Sequence, residues 1–266
     1  MESQFAIQHF NMNKFYTIWL PPFDITSGGI RVMWGLYGWL LAKGCIVFPN
    51  VIADNDNFIA IYPEIVNGNP LKAKTVVRYI LNKPGAMMGY GQPGPTTYPE
   101  SDHKFIFSKI FDTFGVDDDH LLFLPIVNLH VFKDQGKKRT KTAYLVGKGI
   151  NTQVHPKDSV YINRPLAYDQ QALADLLNEC HTFYSYDPVT AMFEIARLCG
   201  CRVVVVPNGS YSNEEMHSYE PGFNGISWGI NEKVELDTKA FRKHYEGMVD
   251  TFSKKLDKFI DITQNG

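Results

Sequence analysis

Apolar residues fall into two habits along this chain. Short continuous runs such as Phe15 to Leu20 (FYTIWL), Phe58 to Tyr62 (FIAIY) and Thr142 to Val146 (TAYLV) are β-prone and predict strands. Arg202 to Val206 (RVVVV) has the composition of a fully buried strand. Elsewhere apolar residues recur at three and four positions. Ile30, Met33, Leu36, Tyr37, Leu40 and Leu41 predict an amphipathic helix, with Gly44 as its C-terminal stop. Cys45 to Phe48 reads as the next strand. Strand, Gly-rich turn, helix and strand make a βαβ unit, the building block of parallel sheets.

The same reading continues downstream. Leu71 to Leu81 is expected to be a helix capped by Asn69-Pro70, followed by a Gly/Pro-rich loop from Pro84 to Pro99. Phe105 to Phe107 and Leu121 to Leu124 are further candidate strands. A basic loop around Lys137 reads as the connection between lobes. Beyond Thr142, a helix is expected over Asp169 to Cys180, with Leu173, Leu176, Leu177 and Cys180 on one face. A short strand covers Thr182 to Ser185, and Pro188 is expected to open a helix that runs to Cys199. The tail, Thr238 to Ile262, carries Phe241, Tyr245, Met248, Phe252, Leu256 and Phe259 along one helical stripe, which must pack on something. The predicted fold is α/β, with two Rossmann-like lobes over residues 1–135 and 136–237. A C-terminal helix over 238–266 packs back on the body. A ligand cleft is expected at the carboxyl ends of the strands.

Composition narrows the function classes. Hydrophobic residues make up 44% and charged residues 20%, enough apolar material for a globular core. The aromatic share of 14% suits a filled core or a site for rings and sugars. With 26 basic against 28 acidic residues, no strong field favours nucleic acid. The one basic cluster, Lys137, Lys138, Arg139 and Lys141, reads as a solvated loop or as a contact for phosphate or an anionic membrane surface. Cys45, Cys180, Cys199 and Cys201 lack zinc-like spacing and read as small buried residues. Met1 to Asn13 is polar and has no apolar signal core, and no apolar run is long enough to span a bilayer. The expected location is cytoplasmic, with peripheral membrane contact open.

Candidate chemistry concentrates in Phe183 to Asn208 (FYSYDPVTAMFEIARLCGCRVVVVPN). A strand delivers Tyr184, Ser185, Tyr186 and Asp187 to an expected helix N-terminus, whose free N–H groups favour a phosphate. Thr190 can add a hydroxyl. Glu194, one turn further, can accept from ribose hydroxyls. Plainer readings stand beside these: Asp187 as an N-cap, and Glu194 with Arg197 as a surface ion pair. Lys148 lies between Gly147 and Gly149 after a strand, a point charge on a loop that lets phosphate approach, or an exposed turn lysine. Gly28-Gly29 allows close backbone approach to a ligand or a turn with positive φ. GGIRVMWG lacks the spacing of a dinucleotide fingerprint. Glu64, ending a strand in Tyr62-Pro63-Glu64, is a candidate general base, with Asp24 and His103 as rivals. Arg78 reads as structural. Pro221-Gly222 with Ile226 to Gly229 reads as a late loop able to close over a ligand, or as a plain surface loop.

The segment with Asp187, Glu194 and Gly200-Cys201-Arg202-Val203-Val204 resembles the donor-binding strand–helix–strand of GT-B glycosyltransferases. Together with YPEIVNGNPLKAKTVVRYILNKPG (Tyr62 to Gly85) it is similar to a group of bacterial surface-polysaccharide glycosyltransferases. The resemblance covers most of the chain and is more specific in the second lobe. It implies a compact GT-B architecture and sugar transfer from a nucleotide-sugar to a glycan, lipid-linked or other hydroxyl acceptor in polysaccharide biosynthesis. The implied donor-binding residues are Gly28, Gly29, Lys148, Tyr186, Asp187, Thr190 and Glu194, and Glu64 and Asp24 are the catalytic candidates. The resemblance implies that Lys148 neutralises the donor diphosphate and that Gly28-Gly29 lies beside the transferring sugar. There are departures. In the large retaining GT-B family, two Glu residues flank a Gly-rich turn with seven residues between them. Here Asp187 and Glu194 have six between them, and the turn is Pro188-Val189. Retaining and inverting chemistry both stay open.

Two acidic strings, Asp54-Asn55-Asp56 and Asp117-Asp118-Asp119, look like the Asp-x-Asp of metal-dependent transferases but sit in polar loop contexts. They read as turns, and no metal or other cofactor is expected beyond the nucleotide-sugar substrate. Two alternatives fit the same architecture: a sugar-nucleotide epimerase or isomerase, and a catalytically silent nucleotide-sugar-binding protein.

Overall fold

The computed structural model describes residues 14–52, 57–86, 93–231 and 234–265. Among these are ten strands and six α-helices in two compact units. The first unit contains the described residues of Met1–Asp24, Gly29–Leu124 and Asp250–Gly266. The second contains Ile25–Gly28 and Pro125–Val249.

The first unit is a five-stranded parallel sheet. Its strands are β1 (Phe15–Ile18), β2 (Val47–Pro49), β3 (Phe58–Pro63), β4 (Thr75–Ile80) and β5 (His103–Ile106). Their order across the sheet is β2-β1-β3-β4-β5, and every pairing is parallel. Helix α1 (Gly28–Ala42) connects β1 to β2 and buries Val32, Met33, Leu36 and Leu40. It ends as expected at Gly44, whose φ of 80° suits glycine. Strand β3 is buried along its whole length, the mark of a central parallel strand. On one face, Phe58, Ala60 and Tyr62 pack with Leu71, Ala73 and Val76.

Two expectations fail in this unit. Leu71 to Leu81 is not a helix; it is a turn followed by strand β4. Val76, Val77 and Ile80 have helix-like spacing. However, TVVRYI is rich in β-branched and aromatic side chains, and pairing on both edges with β3 and β5 decides its state. Asn69 therefore caps no helix. It accepts from the Tyr62 hydroxyl (2.8 Å) and brackets Ala73. Leu121 to Leu124 contributes only a single bridge, Ile106 to Leu121. Arg78 is structural, as expected. It is buried, pairs with Asp102 at 2.7 Å, and donates to the carbonyls of Val66 and Gly68.

The second unit repeats the plan. Its strands are β6 (Lys141–Leu145), β7 (Val160–Tyr161), β8 (Cys180–Ser185), β9 (Arg202–Val205) and β10 (Ile226–Trp228). The order is β10-β9-β8-β6-β7, again all parallel. Renumbered within each unit, both sheets run 2-1-3-4-5. This is the doubly wound order whose strand direction of progress reverses between the first and third strands. Helices α2 (Arg164–Tyr168), α3 (Gln170–Glu179), α4 (Met192–Leu198) and α5 (Asn213–Met216) complete this unit. Asp169 caps α3 through the Ala172 N–H.

Here too the boundaries depart from expectation. Pro188 does not open a helix. The chain stays in a turn from Tyr186 to Ala191, and α4 begins at Met192 with no side-chain cap. Ile226 to Trp228 is not a closing loop but edge strand β10, paired with β9. The final helix, α6 (Thr238–Asn265), covers the predicted tail. Its first part, with buried Phe241 and Tyr245, belongs to the second unit. From Asp250 on, buried Phe252, Leu256, Phe259 and Ile260 belong to the first. Phe259 packs there on Phe105 (4.7 Å between ring centroids) and Tyr16 (6.1 Å).

Candidate functional site

In an open parallel sheet, the loops leaving two strands diverge at the point where the strand order reverses, and ligands bind at that carboxyl edge. In the second unit this point lies between β6 and β8. The loop after β6 is Val146-Gly147-Lys148-Gly149, and the segment after β8 is Tyr186-Asp187.

Both glycines are required by contact. Gly147 has φ 55°, and a methyl there would lie 2.7 Å from the Asp187 Cβ. A methyl on Gly149 would lie 1.8 Å from the Tyr186 carbonyl oxygen. The loop therefore lies flat against the end of β8. Lys148 donates its backbone N–H to Asp187 Oδ2 at 3.3 Å, and its ammonium lies 4.0 Å from the same oxygen. The Lys148 side chain is 58% exposed while that of Asp187 is only 7%. Burial raises the Asp187 carboxyl above its usual range; the Lys148 charge and the N–H groups of Val189 and Lys148 oppose that shift. The arrangement is an accessible cation held over a buried carboxylate on a backbone with no side chains in the way.

Tyr186 is brought to the same place, but its hydroxyl faces inward. It accepts from the Val154 N–H at 2.9 Å and meets His155 Nδ1 at 2.6 Å. Thr190 accepts from the Met192 N–H at 3.3 Å within the turn before α4. Asp187 caps that turn through Val189 (3.3 Å), not the helix. Because α4 starts later than predicted, Asp187 and Thr190 do not form the anion-ready helix end that the sequence implied.

Glu194 goes elsewhere. It is buried in α4, where it accepts from the Tyr219 hydroxyl and lies 3.8 Å from Arg197 Nη2. Arg197 is also buried. Its Nη1 donates to the carbonyls of Gly222 (2.7 Å) and Asn224 (3.1 Å), and its guanidinium lies 3.8 Å from the Phe241 ring centroid. Burial pushes its pKa down to about 10. The pair is thus buried and not at the surface.

In the first unit, Glu64 leaves β3 and Asp24 lies between β1 and α1, so both sit at the carboxyl edge where that sheet reverses. Glu64 is 8% exposed; its Oε2 accepts from Leu81 N–H at 2.9 Å and its carbonyl from the Tyr98 hydroxyl at 2.7 Å. His103 opens β5 and so lies at the opposite, amino edge. Burial is the main cause of its lowered pKa. Gly28 and Gly29 form the first turn of α1 and have no positive φ, and a methyl on Gly28 meets nothing within 4 Å.

The acidic strings separate. Asp54-Asn55-Asp56 lies outside the described residues. In Asp117-Asp118-Asp119, Asp117 caps the turn through Asp119 and His120, Lys255 pairs with Asp118, and Lys258 lies 3.7 Å from Asp119. Among the described residues no group of three or more His, Cys, Asp or Glu is placed to hold a metal ion. In the basic cluster, Lys137 pairs with Asp175 (3.0 Å), Arg139 with Asp134 (2.6 Å) and Lys141 with Glu179 (2.6 Å). These three cations are paired within their own unit. All four cysteines are free and buried. Among the described residues no helix is long and apolar enough to cross a membrane.

Sequence reasoning missed His155 and Tyr219. Each acts through a partner 31 or 25 residues away, so no local pattern marks either one. No protein-family model matches the chain, and no curated protein matches its sequence.

Proposed function

We propose that the protein is a glycosyltransferase that takes a sugar from a nucleotide-sugar donor, and that the β6–β8 edge of the second sheet receives the donor's diphosphate. The observation that carries this reading is Lys148, an exposed ammonium on a glycine-flanked loop at the point where the sheet's strand order reverses. A diphosphate at that edge would draw Lys148 from Asp187 and meet it as a charge-assisted partner. Asp187, buried beneath it, suits the hydroxyls of a sugar. The sequence resemblance to GT-B transferases supports the same assignment of Lys148 and Asp187. Glu194 is engaged by Tyr219 and Arg197, so the proposal rests on the loop and not on a ribose contact from α4. Glu64 and Asp24, on the carboxyl edge of the first sheet, are the proposed candidates for activating the acceptor hydroxyl.

The test is a thermal-shift screen against UDP-, GDP-, CMP- and dTDP-linked sugars. A ligand at 100 times its dissociation constant adds roughly 2.7 kcal/mol, a readable rise in melting temperature. The expected result is a shift with one base class, lost in Lys148→Ala, and release of the free nucleotide when an acceptor is added. No shift with any of the four classes would overturn the proposal.

A further inference from the structure

The loop that carries Lys148 returns to the sheet through Val154 and His155. Both meet one atom, the Tyr186 hydroxyl oxygen: the Val154 N–H donates to it at 2.9 Å, and His155 Nδ1 lies 2.6 Å away. The outgoing end of the loop is fixed by Gly149, which lies against the Tyr186 carbonyl and donates to the Val146 carbonyl at 2.9 Å. A single residue of the strand end therefore grips the loop twice, by its backbone at Gly149 and by its side chain at residues 154 and 155. Between these grips lie Ile150, which is 78% exposed, and residues 151–153.

We propose that Tyr186 and His155 form an acid-sensitive latch that positions the Lys148 loop. As positioning residues they act through Lys148, and this role in the reaction rests on the donor-site reading above. The chemistry of the three groups sets the sign. The Tyr186 oxygen accepts from Val154, so its own hydroxyl hydrogen goes to His155 Nδ1. That nitrogen accepts only in a neutral ring whose proton is on Nε2. Protonation turns Nδ1 into a donor. The Tyr186 oxygen then faces two donors, and its hydrogen is left without an acceptor in a buried place. The rings around His155 are Tyr144 of β6, stacked at 3.8 Å, Tyr184 of β8, and Tyr186 just beyond β8. Burial lowers the His155 pKa below its ordinary 6.5, so the neutral, closed form prevails at neutral pH and the latch opens on acidification.

Hydrogen exchange read by mass spectrometry on the unliganded full chain tests the latch without any ligand. In Tyr186→Phe, which keeps the ring and removes the hydroxyl, amides of 150–155 should exchange about tenfold faster, while β8 and β9 exchange as in wild type. In wild type, exchange of the same loop, corrected for its intrinsic pH dependence, should accelerate from about pH 7.5 to about pH 5, following the His155 ring titration seen by NMR. Tyr186→Phe should lose that pH response. Unchanged loop exchange in Tyr186→Phe, or exchange in wild type that ignores the His155 titration, overturns the latch. A second arm titrates UDP and GDP. Where one of them binds wild type, Tyr186→Phe should weaken it about tenfold, and Lys148→Ala/Tyr186→Phe should bind no worse than Lys148→Ala alone. Additive losses would show that Tyr186 does not act through Lys148 and would overturn its positioning role. Failure of both diphosphates to bind wild type would count against the donor site and the latch's role there, while the exchange arm still decides the latch itself.

Discussion

Glu194 of α4 and Tyr219, 25 residues later, meet inside the second unit, hydroxyl to carboxylate at 2.5 Å, with Arg197 completing the group. A carboxylate so placed holds the fold together. Removing it leaves Arg197 buried without its counter-ion, and breaking a buried pair in this way costs about 3–5 kcal/mol. Glu194→Ala should therefore lower the urea midpoint sharply, with Glu194→Gln intermediate. Any ligand of the β6–β8 edge should bind folded Glu194→Gln as it binds wild type. A variant as stable as wild type with weakened ligand binding would reverse the assignment.

Two glycines distinguish close packing from free space. Gly149→Ala drives a methyl into the Tyr186 carbonyl and should destabilise the second unit by at least ~1–3 kcal/mol while displacing Lys148. Gly28→Ala meets nothing within 4 Å and should leave the melting temperature within about a degree or two of wild type. Calorimetric scanning of both variants side by side checks the contrast.

Asp187 should give the protein a defined pH response. Its folded pKa is raised above 3.8 by burial, so the native state holds its proton over a range where the unfolded chain has lost it. Stability must fall as pH rises through that range, because the unfolded state binds fewer protons. Asp187→Asn keeps an acceptor oxygen for the Val189 N–H and removes the titration. Urea unfolding across pH should show Asp187→Asn gaining on wild type with rising pH, then running parallel above the raised pKa. Equal pH slopes for both would contradict the burial of this carboxylate.

Phe259 packs on Phe105 and Tyr16 in the first unit. Phe259→Ala should cost about 3–5 kcal/mol. Ending the chain before Asp250 should leave the first unit unable to fold and the product aggregated. Circular dichroism and size-exclusion chromatography check both outcomes.

Much of the fold is legible in the sequence because burial leaves periodic traces. The runs at Phe15, Phe58, Thr142 and Arg202 are strands, and the stripes in α1, α3 and α6 are helices. Legibility fails where partners decide. Val76, Val77 and Ile80 fit a helix by spacing, and only β3 and β5 on either side make TVVRYI a strand. Pro188 suits a helix start, yet the chain first turns through Asp187 and Thr190. At the candidate site, Lys148 and Asp187 are visible as residue types, and the structure brings them together. The shared strand order is invisible because pairing joins segments with no sequence similarity. Glu194 misleads because a buried carboxylate signals only that it needs a partner, not that the partner is Tyr219.

Helix α6 carries a consequence for synthesis. The core of the first unit takes Phe252, Leu256, Phe259 and Ile260 from the last stretch of chain, whereas the second unit is complete by Val249. A chain leaving the ribosome from its amino end delivers β1 to β5 first, but without the helix that covers Tyr16 and Phe105. The second sheet has all its strands and helices earlier. The usual order, in which the amino-terminal unit folds first, is therefore inverted: β1 to β5 wait, partly uncovered, for residues translated after the whole of the second unit.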